Sequence, residues 1–282
     1  MRLAAALCLL LLCAGELGLR LFEDRFSTNA AQIAAQLDAL ERSSDDTVVI
    51  GNSLSAHAFE HSEGLTLVTP DSSGLYEWYA ITKHHDAAFD RFETVIITYA
   101  WNQLSDQHTI LLDTIGGYLG TAGDVMDLGE RKGLSFDARV DYLLGSVSKL
   151  WLYKTRIRRK LESVLLHRYE SVTQSMNAAA NERTQADQDA RKRSYRTMAD
   201  VLARLDHARI TIVAMPLQTE YPVDPDLLTA LQPLANVQFL DLRNYFRDRY
   251  ADPEQFYIDH IHVNTEGAAL LSTEILTRAG VQ

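Results

Sequence analysis

The chain has 282 residues, 46% of them hydrophobic, and this length can hold one large α/β domain or two small ones. Its formal net charge of −11 argues against general nucleic-acid binding, because such binding uses a basic surface to neutralise phosphates. Both cysteines, Cys8 and Cys13, lie in the first segment, which excludes a disulfide framework, a cysteine–zinc site or a cysteine nucleophile in the rest of the chain.

Residues 1–22 are predicted to be a signal anchor or a signal peptide. An uninterrupted apolar run, Leu3–Ala14, follows Arg2, which is the pattern of an export segment. The small residues Ala14 and Gly15 would allow cleavage after Gly15, whereas the apolar residues beyond Glu16 favour an uncleaved anchor, although a comfortable membrane span needs about 20 residues. Both alternatives predict that the remaining chain is extracytoplasmic, in the periplasm or at the cell surface.

Residues 23–282 are predicted to form an α/β domain. The segment 23–44 has a helical apolar stripe, and helices are also predicted over Leu75–Ala88 and Asn264–Arg278. Between them lie short, nearly continuous apolar runs of the kind found in parallel strands buried on both faces. The strand candidates are Thr47–Ile50, Leu65–Val68, Thr94–Thr98, Ile210–Ala214 and Val237–Leu240. The alternation of strands and helices predicts a three-layer α/β/α fold with a parallel sheet of about five strands.

Residues 106–207 do not follow this alternation and are predicted to be a helical insertion, with helices over Ser146–Leu166 and Asp187–Leu205. A cluster of cations stands out in this acidic chain. Its members are Lys149, Lys154, Arg156, Arg158, Arg159 and Lys160. The cluster is either a solvated helix face with a few aromatic residues packed beneath it, or a surface that contacts anionic lipid headgroups or an acidic partner.

The turn Gly51-Asn52-Ser53 follows the first predicted strand directly. Open parallel sheets place their sites outside the carboxyl ends of the strands, so Ser53 is a candidate nucleophile there. A helix beginning at this point would also offer N–H groups and a partial positive charge to a developing oxyanion. The alternative is that Ser53 only caps a helix.

Near the end of the chain, Asp259-His260-Ile261-His262 supplies a candidate base and the group that orients it. His262 is the natural base for a serine, and Asp259 could hold its ring through the other nitrogen. A metal site made by Asp259, His260 and His262 is the alternative.

Two more strand ends carry candidate donors. Gly74 follows the second strand, where a glycine allows a backbone N–H to approach a substrate closely, and Asn102 follows the third strand. Together with the Ser53 N–H they would form an oxyanion hole.

The order Gly-x-Ser, Gly, x-x-Asn and Asp-x-x-His resembles the SGNH (GDSL-like) hydrolase superfamily. The resemblance implies that Ser53 is the nucleophile, that Ser53, Gly74 and Asn102 form the oxyanion hole, and that Asp259 and His262 complete a triad. Asn52 departs from the usual Asp of the first block. Ala100 and Gln103 depart from the Gly and Asp that are usual in the third block, and the second block lacks its usual context, so that Ser73 is an alternative to Gly74.

The resemblance implies a serine esterase or O-acyltransferase that needs no metal or other cofactor. The N-terminal segment and the helical insertion resemble those of extracytoplasmic SGNH proteins that work beside membrane-bound O-acyltransferases and move acyl groups on envelope polysaccharides. The expected partners are an acylated carbohydrate or other ester, such an acyltransferase, and the membrane. The alternative is a non-catalytic envelope protein that uses this fold to bind glycan or a membrane partner.

Overall fold

The computed structural model describes residues 2–23, 28–100, 103–104, 110, 112–154, 157–158, 186–223, 229–231 and 233–281. The chain divides into two compact units. One unit contains Met1–Ser27 and Leu112–Lys192, and the other contains Thr28–Leu111 and Arg193–Gln282.

The second unit is an α/β domain built on one parallel sheet, which confirms the predicted fold class. Its strands are β1 (Thr47–Ile50), β2 (Leu65–Val68), β3 (Thr94–Tyr99), β4 (Arg209–Ala214) and β5 (Val237–Asp241). Within the described residues these five strands have the order β2-β1-β3-β4-β5, and every neighbouring pair is parallel. In this order the connections change direction beside β1 and β3, which is where open α/β sheets place their ligands.

The described helices are, in chain order, α1 (Arg2–Leu21), α2 (Thr28–Arg42), α3 (Ser53–Phe59), α4 (Leu75–His84), α5 (Asp86–Phe89), α6 (Leu112–Thr114), α7 (Ala122–Arg131), α8 (Phe136–Val147), α9 (Lys149–Leu152), α10 (Ala186–Arg204) and α11 (Thr265–Ala279). A π-helical turn spans Ile115–Leu119, and a 3-10 turn spans Pro253–Phe256. Among these described helices, none is both long and apolar enough to cross a membrane.

The core of the α/β unit lies around its central strands. Every residue of β1 and β3 is buried, because these strands have a neighbour on both sides and helices flank the sheet. α3 packs against α11, and α2 contacts β2. β-branched residues such as Val48, Val49 and Ile96 suit this two-sided burial, which explains why the strands were predictable from apolar content alone.

The other unit is helical in its described part. Residues 112–192 of the predicted insertion 106–207 belong to this unit, together with α1, and the domain bounds stay a prediction. The helix predicted over Ser146–Leu166 is interrupted at Ser148, where α8 ends. Ser148 is extended, and its side chain accepts a hydrogen bond from the Trp151 N–H at 3.2 Å, so it caps a new helix, α9.

Candidate active site

The turn between β1 and α3 presents Ser53 at the carboxyl edge of the sheet, as the first residue of α3. Asn52 caps this helix. Its side-chain oxygen accepts from the Leu54 N–H at 3.0 Å, while its own N–H donates to Ser55 Oγ at 3.2 Å. The residue that departs from the usual Gly-Asp-Ser pattern therefore makes a reciprocal capping box, and this cap fixes the direction in which α3 leaves the sheet.

Gly51 is tightly enclosed. Its carbonyl oxygen accepts hydrogen bonds from the Ser73 hydroxyl and, at 3.2 Å, from Trp78 Nε1, so the turn after β2 and helix α4 both hold the β1–α3 turn. On its other side Gly51 lies against the hydrogen-bonded hydroxyls of Ser55 and Thr98. A side chain at this position would occupy the space of those two hydroxyls.

Gly51→Ala is therefore expected to destabilise the α/β unit by about 1–3 kcal/mol, because the added Cβ overlaps Ser55 and Thr98. Thermal unfolding of the full chain measures this change. Gly123→Ala is the matched control, since a Cβ there meets only Thr121 Oγ1, at an ordinary 3.5 Å. Equal unfolding midpoints for the two variants would contradict the expectation.

Ser53, His262 and Asp259 form one continuous hydrogen-bonded chain. His262 Nε2 lies 3.0 Å from Ser53 Oγ, and His262 Nδ1 lies 2.9 Å from Asp259 Oδ2. An ionised carboxylate can only accept, so it fixes the proton of a neutral imidazole on Nδ1 and leaves Nε2 to accept the Ser53 proton. The structure thus brings together the three residues that the sequence predicted as nucleophile, base and orienting group.

Asp259 is held in place by the backbone of its own loop. Its Oδ1 accepts from the N–H groups of Ile261 and His262, each at 2.8 Å. The hydrogen bond from the His262 ring holds the pKa of the Asp259 carboxyl well below its usual 3.8. Burial opposes this shift, and the hydrogen bonds from the two backbone N–H groups add to it. The carboxylate is therefore ionised throughout the neutral range, although 52% of its side chain is exposed.

The loop that carries Asp259 and His262 is closed at its base. Tyr257 and Val263 form an antiparallel bridge, and the Ile258 N–H donates to the His262 carbonyl at 2.9 Å. Asn264 then caps α11, accepting from the Gly267 N–H at 2.9 Å. Since α11 packs against α3, this loop reaches the residue at the start of α3.

Two further histidines lie near His262: His57, for which no role was predicted, and His260, which belonged to the metal alternative. The ring of His57, one turn after Ser53 on α3, lies 4.7 Å from the His262 ring between centroids. His260, by contrast, is directed to Gln218, with 2.9 Å between Nδ1 and Oε1. The i, i+4 spacing of Ser53 and His57 on a predicted helix is the sequence signal that could have identified His57.

The predicted oxyanion donors have different placements. No described residue accepts a hydrogen bond from the Ser53 N–H, as expected for the first residue of a helix. The Gly74 N–H, in contrast, donates to the buried Glu77 carboxylate at 3.0 Å, and it would have to leave that partner to bind an oxyanion. Asn102 lies outside the described residues, so its assignment stays a prediction, as does that of Gly74.

The turn after β3 is nonetheless hydrogen-bonded to the segment that follows β2. Gln103 is buried, accepts from the Ala100 N–H through its side chain at 2.7 Å, and accepts from the Leu75 N–H through its carbonyl at 3.0 Å. Gln103, which departs from the usual pattern of the third block, therefore joins the turn after β3 to the start of α4.

The metal alternative is not supported by these placements. His262 lies between Ser53 and Asp259, while His260 contacts Gln218. Within the described ranges, no group of three or more His, Cys, Asp or Glu side chains is arranged to hold a metal ion.

A comparison of the chain with protein-family models finds no match, and a comparison with curated proteins finds none either.

Proposed function

We propose that this chain is a serine-dependent acyl-ester hydrolase or O-acyltransferase. The observation that carries the proposal is the Ser53–His262–Asp259 chain of hydrogen bonds, with 3.0 Å and 2.9 Å between the joined atoms. These are hydrogen-bonding distances at which an imidazole can take the serine proton as the hydroxyl attacks.

In the proposed reaction, His262 Nε2 takes the proton from Ser53 Oγ as the oxygen attacks the acyl carbonyl. The tetrahedral oxyanion is stabilised by N–H donors, for which Ser53, Gly74 and Asn102 are the proposed residues. His262 then returns the proton to the departing alcohol, which leaves an acyl group on Ser53. Water or a sugar hydroxyl, deprotonated by the same imidazole, attacks that acyl group and restores the free serine.

The proposed substrate class is an acylated carbohydrate, in particular one that carries O-acetyl groups in a cell envelope. This part rests on the resemblance of the four sequence blocks to the SGNH superfamily and on the export-type N-terminal segment. The same resemblance leads us to propose an extracytoplasmic location and a membrane-bound O-acyltransferase as a partner.

A non-catalytic role in binding glycan or a membrane partner is the second candidate. The engagement of the Gly74 N–H by Glu77 favours it, because one of the expected oxyanion donors is then occupied. A reagent that reacts with an activated serine distinguishes the enzyme from the non-catalytic binding protein.

The test is covalent labelling with an organophosphonate that carries a fluoride leaving group. The phosphorus–oxygen bond forms at Ser53 Oγ as fluoride leaves, and His262 takes the serine proton. We expect mass spectrometry to find the modification on the peptide that contains Ser53, and His262→Ala to slow it strongly. The chemically unfolded chain is the control, because its serines lack a base. Equal labelling of the folded and unfolded chains would reject the enzyme proposal and leave the binding role.

A further inference from the structure

Within the helical unit, α1 is docked on the corner where α8 ends and α9 begins. The Glu16 carboxylate accepts hydrogen bonds from the Ser148 hydroxyl and from the N–H groups of Lys149 and Leu150, each at 2.9 Å. These N–H groups have no acceptor inside the short helix α9, so the carboxylate satisfies them. The only acidic residue of α1 is thereby committed to a partner in the same unit.

Further contacts extend this docking along α1. Arg20 pairs with Glu16 at 2.8 Å and donates to the Val147 carbonyl at 2.8 Å. Gly15 lies beside Leu150, since a Cβ built on it would be in ordinary van der Waals contact with a Leu150 methyl group, at 3.4 Å. Beyond the end of the helix, Glu23 pairs with Lys149 at 2.9 Å. The second half of α1 is therefore fixed to the corner.

The first half of α1 is apolar around its whole circumference. The consecutive side chains Leu9–Leu12 are each between 59% and 64% exposed. Four consecutive residues of an α-helix point in directions about 100° apart, so one protein surface cannot cover all of them. An apolar medium that surrounds the helix, such as the interior of a bilayer, can cover all four side chains. The 12 residues of Leu3–Ala14 rise roughly 18 Å, about the depth of one leaflet of a bilayer.

The corner continues this apolar surface. Val147, whose carbonyl is bonded to α1, is 59% exposed, and Leu144 and Trp151 on either side of it are each 39% exposed. The Trp151 indole N–H donates to the Asp141 carbonyl at 2.9 Å, and Lys154 lies over the ring, 4.1 Å from its centroid. A tryptophan with an apolar face and a satisfied polar edge is typical of the membrane–water interface.

The sequence that follows this surface is basic. The segment 149–160 contains six Lys or Arg residues and no Asp or Glu, in a chain of net charge −11. Two of the six, Lys149 and Lys154, lie at the corner, where they pair with Glu23 and Asp141. A basic segment that adjoins an apolar membrane-binding helix attracts anionic lipid headgroups.

We propose that the helical unit rests on an anionic lipid bilayer, with the apolar first half of α1 and the exposed corner residues Leu144, Val147 and Trp151 in contact with the same leaflet. The Glu16 contacts hold the corner at the level where α1 leaves the lipid. The insertion is then part of the membrane-binding surface, and α1 is retained in the mature protein as part of that unit.

The test uses the full-length chain in vesicles of phosphatidylethanolamine and phosphatidylglycerol whose acyl chains carry bromine, a quencher of tryptophan emission. The parent chain carries Trp101→Phe. We expect quenching in this parent chain and loss of most of it when Trp151→Phe is added, because the remaining tryptophan, Trp78, is fully buried in the other unit. Leu144→Ser should reduce the quenching of Trp151. Leu234→Ser is the matched control, since Leu234 is 36% exposed and lies outside the helical unit, and it should change nothing.

Two further measurements complete the test. Glu16→Ala should accelerate amide hydrogen exchange at Lys149 and Leu150, which report the docking of α1 directly. Intact mass of the mature chain should include the residues before Gly15. Unchanged quenching in Trp151→Phe, or no quenching by pure lipid vesicles, would overturn the proposal; the latter would mean that a protein partner covers the corner. Removal of the residues before Gly15 would overturn it as well.

Discussion

If Ser53 is the nucleophile as proposed, Ser53→Ala is expected to lower kcat/KM for ester hydrolysis by on the order of 10⁴- to 10⁶-fold, the loss that follows removal of the nucleophile from serine proteases. Ser53 Oγ is the atom that His262 Nε2 faces at 3.0 Å, and the substitution leaves the base without a hydroxyl to deprotonate. The measurement is release of acetate from an activated acetyl ester and from an acetylated polysaccharide, at substrate concentrations well below KM.

The fold of this variant should be unaffected, because the capping box of α3 is made by Asn52 and Ser55 and does not use the Ser53 side chain. Ser62→Ala is the matched control: it removes a hydroxyl from the residues just after the same helix and should retain wild-type rates. A rate in Ser53→Ala within a few fold of the wild-type rate would show that another group performs the chemistry.

Much of the sheet was predictable from the sequence because its physical signal is local. Each strand is a short run of β-branched and apolar residues. Because residues such as Val49 and Ile96 are buried on both faces of the sheet, these strands do not alternate between apolar and polar residues. The strand ends then gave the position of Ser53, since the carboxyl ends of parallel strands meet at one edge. Pairing Ser53 with His262 relied on the residue types of a catalytic triad and was supported by the resemblance, because no local pattern relates residues so far apart in the chain.

The remaining features depend on contacts that a local pattern does not specify. The engagement of the Gly74 N–H depends on the rotamer of Glu77, and the enclosure of Gly51 depends on the approach of β3 through Thr98. The helix break at Ser148 interrupts a sequence pattern that predicts one continuous helix. There, the Glu16 carboxylate supplies acceptors for the first N–H groups of α9, and that partner is more than a hundred residues away.

Asp259→Asn should lower kcat/KM by on the order of 10²- to 10⁴-fold, the upper value being that of the same substitution in the buried triad of a serine protease. An asparagine oxygen can still accept from the Ile261 and His262 N–H groups, so the loop should keep its conformation. Its NH₂ group, however, would face His262 Nδ1 as a donor. The imidazole would then carry its proton on Nε2, where it cannot accept the proton of Ser53.

The exposure of Asp259 limits the loss of kcat/KM, because water can partly replace the charge that Asp259→Asn removes. The change in the tautomer of His262 is not reversed by water. Asp252→Asn is the matched control, since it removes another exposed carboxylate just before the same loop, and it should retain wild-type rates. Wild-type rates in Asp259→Asn would mean that His262 is oriented by other groups, such as the neighbouring His57 ring.

The hydrogen bonds of Asp259 also make the stability of the fold depend on pH. The folded-state pKa of Asp259 lies below its unfolded value of 3.8, so the stabilisation from its hydrogen bonds is present above that pH and is lost as the pH falls through the lower, folded-state value. In Asp259→Asn this contribution is absent, so the thermal unfolding midpoint should fall less than that of the wild type as the pH is lowered through and below 3.8. An equal fall in the two chains would show that the carboxylate adds no folding stability through these hydrogen bonds.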